Sequence, residues 1–176
     1  MQKNWYIVYT KAKCEKKVAA LLAKKKIKNF CPVHCRQINQ FSRMKLVYEP
    51  LFSSYVFVYM QESKINVLKQ LSNVVNLVYW KGQPAIIQNE EIEEIREFVA
   101  EHENIRLERS GVNVNSLASV VDRPSYAMDG NVVMIKNKFI KVNLPSLGYM
   151  MVAEMEGDGV MGREIGLKEK EALLYS

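Results

Sequence analysis

The sequence predicts an α+β fold, in which an N-terminal antiparallel sheet flanked by helices is followed by a small all-β barrel. Three observations carry this. In the stretch "YEPLFSSYVFVYM" (48–60), residues 51–60 have the pattern of a strand, because aromatic and β-branched residues dominate and Pro50 stops any helix from running into it. Stretches with helical periodicity alternate with stretches of strand character up to about residue 103. Beyond residue 116 the composition turns to Val, Met, Gly and Pro, with no helical periodicity before the tail.

In chain order, "NWYIVYT" (4–10) alternates and reads as the first strand. "KAKCEKKVAALLAKKK" (11–26) holds good helix formers without a breaker, with Cys14, Val18, Leu21 and Leu22 on one side. At 100° per residue, Lys13, Lys17 and Lys24 share a stripe opposite that side. "CPVHCRQI" is extended, and "NQFSRMK" reads as a polar basic loop leading to "LVYEP". From Leu51 to Met60, strand alternation sends Tyr55, Phe57 and Tyr59 to one face and Val56, Val58 and Met60 to the other. Both faces are apolar, so both need a cover. "ESKINVLKQL" (62–71) is a helix, "VVNLVYW" (74–80) a strand and "KGQP" a turn. "NEEIEEIREFVAEHE" (89–103) is a helix that Asn89 can cap, with acids crowding its first turn.

The second part starts after a linker at 104–116, where Asn, Ser and Gly gather. Residues 130–155 read as three short strands, with Asn137-Lys138 and "LPSLG" as the turns between them. The domain division is therefore 1–103, a linker at 104–116, 117–156 as the barrel, and a tail at 157–176 that is flexible or a short helix.

Charge is distributed unevenly. Residues 1–45 carry twelve Lys and Arg against the single acid Glu15, whereas 46–110 are net −4 and 111–176 net −1. A polyanion approaching one side of the first third is the expectation. Three cysteines and an apolar run near the N-terminus too short for a signal peptide point to a reduced, cytoplasmic setting. Cys31, His34 and Cys35 in "CPVHC" invite a metal reading. On an extended segment His34 points away from the two cysteines and no second Cys/His pair follows, so no metal and no cofactor are expected. Catalytic residues are likewise not expected, because His34 and His102 are the only histidines and Glu90, Glu91, Glu93 and Glu94 spread round a helix. An RNA-binding or ribosome-associated module is the alternative function. Against a base-stacking sheet, "SSYVFVYM" has neither glycine nor a cation to hold phosphates. Such a face suits a protein partner better.

"WYIVYTK", a basic helix, "EPLFSSYVFV", "VVNLVYWKGQPAII", a helix, and a linker into a small β domain, in this order and at these separations, resemble the NusG/RfaH family of transcription elongation factors. The forms of "EPLFSSYVFV" and "VVNLVYWKGQPAI" look most like specialised members, RfaH and the UpxY-type antiterminators of bacterial polysaccharide operons. The resemblance implies an NGN-like first domain and a KOW-type, SH3-like barrel, with Gly130 as the KOW motif glycine. It implies that Tyr9, Phe52, Tyr55 and Phe57 face the clamp helices of RNA polymerase's largest subunit, and that Lys11 and Lys17 face the non-template DNA strand. Lys13 and Lys24 join them from the helical stripe. A small-subunit ribosomal protein or Rho is implied as partner of the second domain. Ser53-Ser54 stands where the family usually has Pro-Gly or Pro-Asn, and the His-Thr-Thr contact of RfaH has no counterpart in "SKINVLKQL".

Overall fold

The central strand is β1 (Lys3–Thr10), and the computed structural model, which describes residues 2–110, 132–136 and 139–154, builds the first domain around it. β1 pairs antiparallel with β5 (Tyr55–Gln61) on one side and with β6 (Val74–Leu77) and β9 (Ile86–Ile87) on the other, while β2 (Lys28–Phe30) adds to the outer edge of β5. The order β2-β5-β1-β6 puts the two most apolar strands at the centre. Each can therefore bury both faces. β3 (Val33–Gln40) and β4 (Arg43–Pro50) form a separate two-stranded ribbon, and β7 (Tyr79–Trp80) with β8 (Gln83–Pro84) a short hairpin.

The expected division of the aromatic strand into two faces is what the structure has. On one side Tyr6 and Val8 of β1 and Val56, Val58 and Met60 of β5 pack on Val18 and Leu22 of helix α1 (Glu15–Lys24) and on Ile65 and Leu68 of a 3₁₀ helix, Glu62–Gln70. On the other, Trp5, Ile7 and Phe57 meet Ile92, Ile95 and Phe98 of α2 (Asn89–Glu101). Burial of such side chains stabilises a fold by roughly 1.5–3 kcal/mol each.

Several elements differ from the sequence reading; the strand expected from Leu51 starts at Tyr55, after a turn, and three further differences have a local reason. Helix α1 is shorter than 11–26 because Lys13 (φ 60) and Lys26 (φ 57) adopt left-handed backbone conformations that no right-handed helix contains. Lys13 therefore sits before the helix, not on its stripe. The second helix is 3₁₀, and the i, i+3 spacing of Ile65 and Leu68 matches three residues per turn. Gln88, not Asn89, occupies the N-cap of α2, where its backbone N–H donates to Glu91 Oε2 (3.4 Å).

Part of the second half is described. β10 (Arg106–Arg109), from the stretch read as a linker, pairs with β13 (Tyr149–Glu154), which pairs with β12 (Phe139–Leu144) and through it with β11 (Val132–Lys136). Lys141 Nζ donates to Glu108 Oε2 (2.9 Å) across β13. The "LPSLG" turn closes with Gly148 N–H donating to Leu144 C=O (3.0 Å), and Gly148 takes φ +68, a conformation glycine adopts without strain. Gly130, the Asn137-Lys138 turn and the 157–176 tail lie outside the described residues.

Candidate functional site

The loop between the ribbon and β5 builds the aromatic surface. Leu51 N–H donates to Pro32 C=O (2.8 Å), which turns Leu51 and Phe52 inward. Ser54 then reverses the chain at φ +64. That strained residue is held at both ends, its N–H donating to Glu15 Oε1 (2.6 Å) and its C=O accepting from Thr10 N–H (2.8 Å). Buried Glu15, the one acid of the basic third, thus does structurally at Ser53-Ser54 what Pro-Gly or Pro-Asn would do through backbone preference alone.

From this turn a row of rings runs from surface to core. Tyr9 is 43% exposed and meets Tyr55 edge-on at 6.1 Å, Tyr55 is half-buried, and Phe52 (2% exposed) and Phe57 (0%) lie beneath, edge to face at 5.6 Å. Phe30 stacks on Phe57 at 6.3 Å, and the Arg96 guanidinium sits 4.6 Å over Phe30. Of the four aromatics expected to face a partner, the structure brings all four together, and two are buried in the chain as it stands.

The far end of the chain also packs on this cluster. Tyr149 of β13 lies 6.4 Å from Phe52 in an edge arrangement, and Val142, Leu144, Met151 and Ala153 join the same cluster. Tyr149 and Tyr9 lie near enough to Tyr55 to raise its hydroxyl pKa further, after burial as the larger cause. Glu91 fastens this cover. Only 4% exposed, it accepts Ser146 N–H on Oε1 (2.8 Å) while its other oxygen caps α2. From sequence alone Glu91 is one acid among four in the 90–94 stretch of α2. The Gln-x-x-Glu spacing signals the cap, but nothing local signals the bond to Ser146.

The expected basic residues Lys11, Lys13, Lys17 and Lys24 are all exposed, on α1 and the turn before it. Among the described residues no three His, Cys, Asp or Glu side chains converge as metal ligands, and no helix is long and apolar enough to cross a membrane. Burial, assisted by the Glu15 carboxylate, pushes the Cys31 thiol up to about 12.

His34 is buried at the base of the ribbon, its Nε2 3.8 Å from Glu49 Oε1. Burial holds its pKa below 6.5; Glu49 opposes this and Arg36 adds to it, and burial lowers His102 in the same way. A base whose pKa is depressed by folding contributes stability that is present above its unfolded value and lost as pH falls through the folded one. The thermal midpoint is therefore expected to drop as pH falls below 6.5, and less so in a His34→Gln, His102→Gln variant. Parallel midpoint curves for the two proteins above the carboxylate range would contradict it.

Residues 3–96 match the family model described as "Transcription termination factor nusG". Among solved structures, the chain is similar to one described as "Domain interaction in Thermotoga maritima NusG", at 21% identity over 88% of this chain and 94% of that one, with a TM-score of 0.46. No curated protein matches the chain.

Proposed function

Because the chain belongs to the NusG family, we propose that it is a specialised, non-enzymatic factor of transcription elongation that rides on bacterial RNA polymerase in the cytoplasm and suppresses pausing or termination. The observation that carries this reading is the aromatic row on the sheet. Tyr9 and Tyr55 already reach solvent, and Phe52 lies in a cluster to which both α2 and the C-terminal strands contribute, with Tyr149 of β13 against its ring. An apolar face partly covered by strands from a distant part of the chain suits an interface that those strands can expose.

In this reading Tyr9, Phe52, Tyr55 and Phe57 dock on the clamp helices of the polymerase's largest subunit. Lys11, Lys13, Lys17 and Lys24, exposed and unopposed by neighbouring acids on α1 other than the inward-facing Glu15, meet the phosphates of the non-template strand. Bridging the polymerase cleft favours the closed clamp, a population shift driven by binding energy. Residues 1–103 serve as the NGN-like domain and 117–156, with strand β10 contributed by the 104–116 stretch, as a KOW-like barrel with Gly130 in its motif, followed by the 157–176 tail. The barrel is then free to meet a ribosomal protein of the small subunit or Rho. The loop sequences that resemble the UpxY type support action at chosen operons, such as surface polysaccharide clusters.

Co-purification tests this. The tagged full chain is expected to bring down RNA polymerase subunits from a cell extract after nuclease treatment. Recovery of ribosomes or RNA without polymerase would replace this reading by an RNA-binding or ribosome-associated module.

A further inference from the structure

Between the turn that opens α1, the base of the β3–β4 ribbon and β10 lies a cleft of about 1010 Å³. Lys13 apart, it shares no residue with the proposed docking surface or with the lysines assigned to DNA. Four cations line it, Lys13, Lys16, Arg36 and Arg106, against two acids, Glu15 and Glu49. Both acids are already engaged. Glu15 Oε1 accepts Ser54 N–H (2.6 Å), and Glu49 Oε1 accepts from Arg36 Nη1 (3.2 Å). The cations are not used up in this way. Lys16 Nζ donates to Tyr48 C=O (3.0 Å) and Arg36 to Glu49, and each has further N–H donors without a described acceptor, while Lys13 has no described ion pair.

The same cleft holds a buried acceptor. His34 lines it, is 5% exposed, and its Nδ1 has no hydrogen-bond partner among the described residues. The other ring nitrogen, Nε2, faces the Glu49 carboxylate at 3.8 Å, so the proton of the neutral imidazole belongs on Nε2 and Nδ1 presents a lone pair. Burial, which holds the ring below its ordinary pKa, keeps it in that neutral form. A buried polar atom without a partner is uncommon in a folded protein, and this one calls for a donor. Side chains two apart along a strand share a face, so His34 and Arg36 look to the same side of the ribbon. Pro50, Leu51, Ile105 and Leu107 add an apolar wall.

We propose that this cleft binds a phosphorylated polyol, the chemistry that sugar phosphates and nucleotides share, with the phosphate on Lys13, Lys16 and Arg36 and a hydroxyl donating to His34 Nδ1. The charge agrees. A phosphate monoester carries about −1.5 to −2 near neutral pH, which the excess of cations over acids in the lining balances. The size agrees as well, since pockets for small molecules run from about 300 to 1,000 Å³ and this cleft stands at the upper end of that range. Inorganic phosphate has no carbon skeleton to lay on the apolar wall. A DNA backbone offers singly charged diesters and no hydroxyl for Nδ1, so the cleft is a site of its own and not an extension of the lysine face.

The test is calorimetric titration of the full chain with ribose 5-phosphate, AMP, inorganic phosphate and adenosine. Ribose 5-phosphate and AMP are expected to bind with saturation, and inorganic phosphate and adenosine at least about tenfold more weakly. Tighter binding of AMP than of ribose 5-phosphate makes the ligand a nucleotide, and equal binding makes it a sugar phosphate. Lys16→Ala with Arg36→Ala should weaken ribose 5-phosphate binding by about tenfold or more, since charge-assisted contacts to the phosphate are lost. Lys17→Ala with Lys24→Ala should leave that affinity as it is, which separates this site from the proposed contacts to DNA. Nitrogen NMR of the imidazole rings gives a readout that needs no variant. The His34 Nδ1 resonance should shift as ribose 5-phosphate is added, while His102, which does not line the cleft, serves as the internal control. Absence of saturable binding, equal binding of inorganic phosphate, unaltered affinity in the Lys16, Arg36 variant, or an unmoved His34 resonance at saturation overturns the proposal.

Discussion

Phe52→Ala in the full chain is expected to lower unfolding stability by about 3–5 kcal/mol, the cost typical of removing a buried phenylalanine. Phe52 is buried, contacts Phe57 and Tyr149 with its ring edge or face, and bridges the sheet to the C-terminal strands. Truncation leaves a cavity between two elements that the chain folds together from distant positions. Its neighbour in the row provides the contrast, because Tyr9 is largely at the surface and Tyr9→Ala is expected to cost far less. Urea unfolding of the two variants makes the comparison. A loss for Phe52→Ala no larger than that for Tyr9→Ala would mean that the C-terminal strands do not seal this face.

Tyr55→Ala carries the second large effect, and it falls on binding. Tyr55 is half-buried between Tyr9 and the buried rings, and in the proposed reading it acts as an aromatic anchor of the interface. Removing an aromatic anchor of about 2 kcal/mol corresponds to roughly a thirtyfold loss of affinity for a clamp-helix fragment of RNA polymerase. Because Tyr55 faces the rim of the cluster, stability should fall less than for Phe52→Ala. Titration calorimetry with the fragment reads the first quantity and thermal melting the second. Unchanged affinity would remove Tyr55 from the docking surface.

Much of the first domain was legible because its signals are local. Alternation in "SSYVFVYM" separates Tyr55, Phe57 and Tyr59 from Val56, Val58 and Met60, and the structure covers those two sets with different elements. The three strands between 130 and 155 and the "LPSLG" turn were legible for the same reason. The ribbon tip was not. With both sides of "NQFSRMK" facing water, no apolar period marks it, and only pairing with a register of eight residue pairs makes it a strand. Least legible were the contacts that join the halves, Glu91 to Ser146 and Phe52 to Tyr149, since each depends on residues more than fifty positions apart. Helix ends were misjudged at Lys13 and Lys26 because lysine has good helix propensity and gives no hint of a left-handed conformation.

In the proposed function the aromatic row is a docking surface that the C-terminal strands cover. Tyr149→Ala tests it most directly, because Tyr149 touches Phe52 from the covering side and is not itself part of the proposed surface. When only an uncovered fraction of molecules can bind, apparent affinity is reduced by that fraction, so loosening the cover raises it. The full-length Tyr149→Ala protein is expected to bind the clamp-helix fragment up to about tenfold more tightly than the wild type, which is the equivalent of about 1.4 kcal/mol of lost covering contact. Equal or weaker binding by a variant that remains folded would contradict the claim.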